Sequence, residues 1–146
     1  MIIERLSELP SEAFGPLVAE SEQAGLRFVH RLVEEWASGR NRFERPGEAC
    51  FAARVHGRIV GVCGLNVDPY TAEPRVGRVR HLYVLSAYRK LGVGERLVGE
   101  VIAASRGQFG ILRLRTQNET AARLYERMGF RRCADLADCT HLMELR

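Results

Sequence analysis

The stretch Arg89-Lys90-Leu91-Gly92-Val93-Gly94 lies between a strand-like run and a helix-like run of the sequence. The run before it, 79–84, has strand character, and the run after it, 93–106, carries apolar residues at helical spacing. A glycine-rich turn of this kind leaves backbone N–H groups unpaired at the start of a helix, where the helix dipole adds partial positive charge. The stretch therefore predicts a binding site for an anion, most often a phosphate.

The segments around this turn form a strand–helix–strand unit. Residues 79–84 are predicted as its first strand and residues 93–106 as its helix. Residues 111–115, in which apolar and basic side chains alternate, are predicted as the second strand. Such a unit makes its two strands parallel, with a right-handed crossover. The predicted anion site then lies at the first strand-to-helix turn.

The other strands are predicted from short apolar runs bounded by turn residues. Residues 56–58 contain a glycine between two such runs and are typical of a hairpin turn. The predicted strands are 2–6, 50–55, 59–67, 130–134 and 141–145.

The other helices are predicted from apolar stripes and their caps. Ser11 is predicted to cap a first helix, Gly25 interrupts it, and a second helix ends near residue 39. A later helix begins at Asn118 and ends before Gly129. No repeat or linker separates a second unit, so the 146 residues are predicted to form a single domain, 1–146.

Composition places the chain among ordinary globular proteins. Its residues are 46% hydrophobic and 27% charged, with a net charge of +4. No apolar run reaches about 18 residues, which predicts no membrane span. The first residues lack a signal-peptide layout, which predicts a cytoplasmic location. The chain lacks an interleaved aromatic and basic strand and any helix-turn-helix pattern, so nucleic acid is not an expected partner.

The four cysteines, Cys50, Cys63, Cys133 and Cys139, show no C-x-x-C spacing. Two of them precede His141 closely, but the spacing fits no zinc pattern. We therefore expect no metal site, and no disulfides in a reducing compartment.

Two motifs in this order resemble those of the GNAT superfamily of acyl-CoA-dependent N-acyltransferases. The first is Leu82-Tyr83-Val84 followed by Arg89-x-x-Gly92-x-Gly94, which is similar to the acetyl-CoA motif of that family. The second is Asn118-x-x-Ala121-x-x-Leu124-Tyr125-Glu126-x-Met128-Gly129-Phe130, which is similar to its C-terminal signature. The resemblance covers residues 57–130, and each motif lies in the expected secondary structure.

The resemblance implies a GNAT domain of the α/β (α+β) class. Its central sheet would be mixed, with about six to seven strands flanked by about four helices, the strands before and after the 93–106 helix being parallel. It implies acetyl-CoA as cosubstrate, an amine as acceptor and no metal. Dimers are common among such proteins, so a homodimer is one expected state.

The resemblance also implies which residues bind acetyl-CoA. The backbone of Leu82, Tyr83 and Val84 is expected to contact the pantetheine arm and the acyl carbonyl, and Asn118 is expected near the pantetheine. The residues expected to form the pyrophosphate site, mainly through backbone groups, are Arg89, Lys90, Leu91, Gly92, Val93, Gly94 and Glu95.

Tyr125 is implied as the general acid that meets the departing CoA thiolate. Attack of a neutral amine on a thioester needs a bound cosubstrate, a stabilised oxyanion and proton transfer. A backbone N–H near Val84 can supply the oxyanion contact. Because a thiol has a pKa of about 8.5 and a phenol of about 10, a hydrogen bond from Tyr125 is favoured over full proton transfer.

No carboxylate marks the general base. Some relatives have a glutamate where this chain has Arg113, and others have an acid where it has Arg80 and His81. His81 is the candidate base, since a pKa of about 6.5 leaves it mostly neutral at pH 7. A histidine hydrogen-bonded within the sheet is the alternative. Without a dedicated base, an α-amine is favoured over a lysine-like amine because it loses its proton more easily.

The acceptor is predicted only in outline. Arg80, Arg113 and Arg115 indicate an acceptor with a carboxylate or phosphate if they face the acceptor side. A small molecule is favoured, and a protein N-terminus or lysine is the alternative. A second alternative is that the chain is a module that binds acyl-CoA and catalyses no reaction. The presence of Tyr125, the implied general acid, argues against this alternative. A Walker loop is excluded because no Lys-Ser or Lys-Thr pair follows Gly94.

Overall fold

The computed structural model describes residues 1–145, which form one seven-stranded mixed sheet with helices on both faces. The strand order across the sheet is β1-β2-β3-β4-β5-β7-β6. The strands are β1 (Ile2–Arg5), β2 (Ala49–Val55), β3 (Arg58–Val67), β4 (Val76–Val84), β5 (Ile111–Leu114), β6 (Arg131–Arg132) and β7 (His141–Glu144). The helices are α1 (Gly15–Gln23), α2 (Phe28–Ser38), α3 (Val93–Ser105) and α4 (Glu119–Arg127). This architecture confirms the predicted fold class. The last residue of the predicted domain, Arg146, lies outside the described residues.

The parallel pairing predicted around helix α3 is confirmed, but it is short. Strands β4 and β5 pair only at Val76–Ile111, Gly77–Leu112 and Arg78–Arg113. Beyond Arg78 the two strands have no paired residues among those described, so residues 79–84 present a free backbone edge toward β5. The sheet therefore opens into a cleft at the carboxyl end of β4.

A β-bulge bends β4 at the mouth of this cleft. Val62 of β3 pairs with Tyr83 and Gly64 pairs with Arg80, so two residues of β4, His81 and Leu82, lie opposite one residue of β3. The backbone of His81 has a φ of 63°, which an L-residue rarely adopts. The bulge changes the direction in which the following side chains point.

The sheet separates two apolar clusters. One contains Leu97 and Val101 of α3 together with Tyr125 of α4. The other contains α1 and α2 residues such as Leu17, Leu32 and Trp36. Side chains of β4 alternate between them, with Val79, Leu82 and Val84 on the α3 face and Tyr83 on the α1/α2 face.

The first helix does not begin where the sequence predicted. Helix α1 begins at Gly15, its N-cap is Phe14, and that residue makes no side-chain cap bond. Ser11 lies in a turn before the helix, so the prediction that it caps the helix was wrong. Pro16 in the first helical turn explains the later start, because its ring fixes φ near the helical value. Within residues 1–145, no helix combines the length and apolar character that a membrane crossing requires.

Candidate active site

The free edge of β4 is the first component of the site. The N–H of Leu85 donates to the carbonyl of Val60 on β3 over 2.9 Å. Neighbouring residues of an antiparallel strand direct their backbone groups to opposite edges. The N–H and C=O of Val84 therefore point into the cleft. The C=O already accepts from Arg89 Nε over 2.8 Å, so the N–H is the group with which an extended ligand can pair as another strand would.

The turn between β4 and α3 is the second component. It contains a single 3₁₀ turn (Ser86–Tyr88) and two residues with left-handed backbone, Lys90 with a φ of 64° and Gly92 with a φ of 82°. Gly92 is the N-cap of α3, and a glycine adopts that φ without the strain other residues would incur. The first backbone N–H groups of α3 are then directed at the turn without intrahelical partners.

Gly94 is required for a different reason. A Cβ at this position would lie 3.1 Å from Cδ2 of Leu124, which belongs to α4. The absence of a side chain therefore lets α4 pack closely on the beginning of α3. A second contact joins the same two helices, since Arg127 Nη2 lies 3.1 Å from Glu95 Oε1.

Tyr125 lies on α4 and is almost completely buried, with 5% of its surface exposed. Its ring packs edge-on against Phe130, with centroids 5.6 Å apart. Burial, with a smaller contribution from Cys63, raises the pKa of Tyr125 well above its ordinary value. The phenol thus stays protonated at neutral pH, so it can donate a hydrogen bond.

Two interactions fix α4 in this position. Asn118 Oδ1 accepts from the N–H of Ala121 over 3.0 Å, which confirms Asn118 as the N-cap and leaves its amide nitrogen as the group able to donate to a ligand. Next to Tyr125, Glu126 Oε2 lies 2.8 Å from Nε2 of the buried His141 of β7. That hydrogen bond is the main reason why the pKa of Glu126 is lowered. Sequence reasoning missed this pair, although Glu126 belongs to the second motif.

His81 lies on the opposite face of the sheet from Tyr125. Its ring lies between those of Phe28 and Phe43, with centroids 6.4 Å from each. Neither ring nitrogen meets hydrogen-bond geometry with a partner among residues 1–145, although the backbone of Phe28 lies near enough to act on the ring and oppose the lowering of its pKa. Burial, and then the charges of Arg80 and Arg31, lower the pKa of His81 to about 3. The ring is therefore neutral at pH 7 but only weakly basic.

The cleft floor on the α1/α2 face is basic. Arg78 and Arg80 lie on that face, because Val79 between them packs on the α3 face. Arg113 is in register with Arg78 and shares its face. Arg80 Nη1 donates to Asn66 Oδ1 over 3.5 Å. Of the three arginines predicted to face the acceptor, Arg80 and Arg113 thus lie on the same side as His81, whereas Arg115 follows the end of β5 and is exposed.

The buried carboxylates on this face are already engaged. Glu48 is 4% exposed, and its oxygens accept from the N–H groups of Arg45 and Val67 and from the amide of Asn66, over 2.9–3.1 Å. Asp68 lies 3.7 Å from Arg78 Nη1 and 3.8 Å from Arg113 Nη1. The oxygens of Glu48 are thus occupied by donors, whereas Asp68 is paired in charge with two arginines although its Oδ2 makes no hydrogen bond within residues 1–145.

The cysteines form no reactive or metal-binding cluster in the described part of the chain. Burial raises the pKa of Cys63 to about 12 and that of Cys50 further. Cys139 Sγ donates to the carbonyl of His141 over 3.2 Å. No group of three or more His, Cys, Asp or Glu side chains within residues 1–145 is placed to hold a metal ion.

The sequence model of the Acetyltransferase (GNAT) family matches residues 4–130. The chain belongs to the GNAT acetyltransferase family. The resemblance of the two motifs is thereby confirmed, and acetyl-CoA is the cosubstrate that this family uses. In this GNAT acetyltransferase, Leu82, Val84 and Tyr125 share one face of the sheet, while His81 and Tyr83 occupy the other.

Two relatives are named as N-alpha-acetyltransferases. The chain is 34% identical over 91 residues to N-alpha-acetyltransferase RimI of Mycobacterium tuberculosis, which covers 60% of this chain and 54% of that protein. It is 35% identical over 86 residues to N-alpha-acetyltransferase 30 of Xenopus laevis, which covers 57% of this chain and 32% of that protein. The chain thus spans about half or less of the length of the curated relatives it matches.

Solved structures share the whole fold. A protein of Exiguobacterium sp. 255-15 classed as an acetyltransferase superposes with a TM-score of 0.87 at 28% identity, covering 98% of this chain and 92% of that one. The ribosomal-protein-alanine N-acetyltransferase of Brucella melitensis gives a TM-score of 0.73 at 19% identity, covering 99% and 100%. At that lower identity the similarity concerns the fold alone.

Proposed function

We propose that this GNAT acetyltransferase transfers an acetyl group from acetyl-CoA to the α-amino group of an acceptor with an anionic group near that amine. The observation that carries the acceptor class is Arg80 on the α1/α2 face of the cleft, whose Nη1 makes a long 3.5 Å contact with Asn66 Oδ1. No ion pair joins the Arg80 guanidinium to a carboxylate of residues 1–145. An acceptor carboxylate or phosphate can supply the missing partner.

The preference for an α-amino group over a lysine side chain follows from the absence of a strong general base in the site. An α-amine of pKa about 8 costs about 1.4 kcal/mol to deprotonate at pH 7, whereas a lysine-like amine costs about 4.6 kcal/mol. Water can accept the proton in the first case, but the second would limit the rate. The names of the two N-alpha-acetyltransferase relatives also support an α-amine. A free amino acid and an acidic peptide N-terminus offer the same chemistry.

In the proposed reaction the two faces of the sheet have separate roles. The free edge of β4 binds the cosubstrate, and the amine enters from the α1/α2 face. The nitrogen attacks the thioester carbon while the N–H of Val84 donates to the carbonyl oxygen. The C–S bond then breaks, and the hydroxyl of Tyr125 donates to the thiolate that leaves with its electron pair. The proton lost by the amine passes to water.

An acceptor panel tests this proposal. Release of CoA thiol from acetyl-CoA is measured with free amino acids, with peptides whose second and third residues are acidic or basic, and with polyamines. We expect acceptors that carry a carboxylate near their α-amino group to react fastest. Comparing the free amino acids with the peptides then shows whether the acceptor is a small molecule or a peptide N-terminus. Preference for polyamines would contradict the proposal.

The variant Arg80→Gln measures how much the positive charge of Arg80 contributes to acceptor binding. We expect the KM for anionic acceptors to rise about tenfold or more, because a hydrogen bond to a charged group contributes about 1.5–3 kcal/mol. The KM for acetyl-CoA should not change. Arg106, exposed after helix α3, provides the control Arg106→Gln. An unchanged acceptor KM in Arg80→Gln would argue against an anion near Arg80.

The pH profile of kcat/KM tests the role of His81. Because the pKa of His81 is lowered to about 3, the ring does not change its charge between pH 5 and pH 8. We expect kcat/KM to rise with pH until the acceptor amine is neutral, near pH 8. The variant His81→Phe should keep this shape, since phenylalanine can pack between Phe28 and Phe43. An acidic limb near pH 6.5 that disappears in His81→Phe would instead identify His81 as the general base.

A further inference from the structure

We propose that Glu20 of α1 is a positioning residue that ties the acceptor-side helices to the turn predicted to bind the CoA diphosphate. This inference holds whichever amine is the acceptor. Glu20 lies more than 60 residues before that turn, and no feature of the sequence singles it out. Its carboxylate nevertheless contacts the end of β4, the 3₁₀ turn and Arg89, which begins the R-x-x-G-x-G part of the first motif.

The shortest contact is with β4. The hydroxyl of Tyr83 donates to Glu20 Oε1 over 2.6 Å. Burial, together with this hydrogen bond, raises the pKa of Tyr83 to about 12, so the phenol remains a donor. The Tyr83 ring also packs edge-on against Phe28 of α2, with centroids 6.1 Å apart. Tyr83 therefore connects α1, α2 and the strand whose other edge faces the cleft.

The same carboxylate caps the 3₁₀ turn. The backbone N–H of Ser86 donates to Glu20 Oε1 over 2.8 Å, and Ser86 Oγ lies 3.2 Å from Glu20 Oε2. Backbone N–H groups at the start of such a turn have no partner within it. Glu20 thus supplies, from a distant helix, the cap that the turn itself lacks.

The third contact involves Arg89, the first residue of the R-x-x-G-x-G motif. Its Nη2 lies 3.6 Å from Glu20 Oε1, and its guanidinium lies 5.3 Å above the ring of Tyr83. Its Nε donates to the carbonyl of Val84 over 2.8 Å. These three contacts direct the Arg89 side chain back onto β4. We infer that Arg89 braces the turn, whose backbone then provides the anion contacts.

A carboxylate beside an anion site would ordinarily weaken binding, because like charges repel. Glu20 is only about one-third exposed (32%), and its contacts with Tyr83, Ser86 and Arg89 are directed at both oxygens. Its role is therefore to order the turn before the cosubstrate arrives. An ordered turn binds more tightly because less conformational entropy is lost on binding.

The experiment compares Glu20→Ala with Glu22→Ala. Glu22 is exposed on the same helix, and its nearest ion-pair partner is His30 at 4.0 Å. Binding of CoA is measured by calorimetry, steady-state kinetics give kcat and both KM values, and thermal melts report the stability of the free protein. We expect Glu20→Ala to raise the Kd for CoA and the KM for acetyl-CoA about tenfold, as expected for loss of hydrogen bonds to a charged group. The kcat should change less than about twofold.

Glu20→Gln provides the second arm. Glutamine can still accept from Tyr83 and Ser86 but no longer attracts Arg89, so an intermediate rise in the Kd for CoA is expected. Tighter CoA binding in either Glu20 variant would overturn the inference, because it would mean that Glu20 competes with the diphosphate for Arg89. An unchanged Kd for CoA in Glu20→Ala, or an equal effect of Glu22→Ala, would overturn it as well.

Discussion

Replacing Tyr125 with phenylalanine is expected to lower kcat about a hundredfold, at the lower end of the range for loss of a general acid or hydrogen-bond donor. The ring is buried and packs on Phe130, so phenylalanine can keep the packing while removing the hydroxyl. The raised pKa of Tyr125 keeps that hydroxyl protonated across the working pH range. The leaving thiolate would then form without a donor, which raises the barrier for its departure.

The measurement separates binding from chemistry. Steady-state rates are compared with the Kd for CoA, which we expect to change less than about twofold, because a donor used only in the transition state does not bind the ground state. Tyr70, which lies on an exposed loop, provides the control Tyr70→Phe. A kcat close to that of the original protein in Tyr125→Phe would show that the thiolate leaves without help from Tyr125.

Replacing Asp68 with alanine is expected to lower the free energy of unfolding by about 3 kcal/mol, as for other buried ion pairs that lose one partner. Asp68 is 2% exposed and lies between the guanidinium groups of Arg78 and Arg113. Its removal leaves two positive charges on neighbouring strands without a carboxylate. The melting temperature should fall by about 6–12 °C for a domain of this size.

A compensating variant distinguishes charge from packing. Adding Arg113→Met to Asp68→Ala removes one of the two unpaired charges and should recover part of the lost stability. Asp135 is exposed and serves as the control Asp135→Ala, for which we expect a change within about 0.5 kcal/mol. Loss of stability equal in the single and the double variant would contradict the electrostatic explanation. Asp68 also contacts Arg78 and Arg113, the last residues at which β4 and β5 pair before the cleft opens.

Short sequence patterns correctly predicted those features of the fold that depend only on residues close together in the chain. The N-cap at Asn118 and the end of the helix just before Gly129 were both predicted, because capping involves residues within one helical turn. The same approach failed at Ser11, where Pro16 moved the start of α1. The strand predicted at 130–134 is reduced to Arg131–Arg132, since only those residues pair with β7.

The amino-acid sequence by itself determined the strand–turn–helix order and the two motifs of this GNAT acetyltransferase, and it pointed to Tyr125 as the candidate acid. These features follow from short-range periodicity, glycine conformation and helix capping. Only the tertiary structure decided the pKa of His81, because its burial between Phe28 and Phe43 and the charge of Arg31 come from other elements. The same holds for the contacts of Glu20 and Asp68, since burial and charge pairing depend on residues that are distant in sequence and adjacent only after folding.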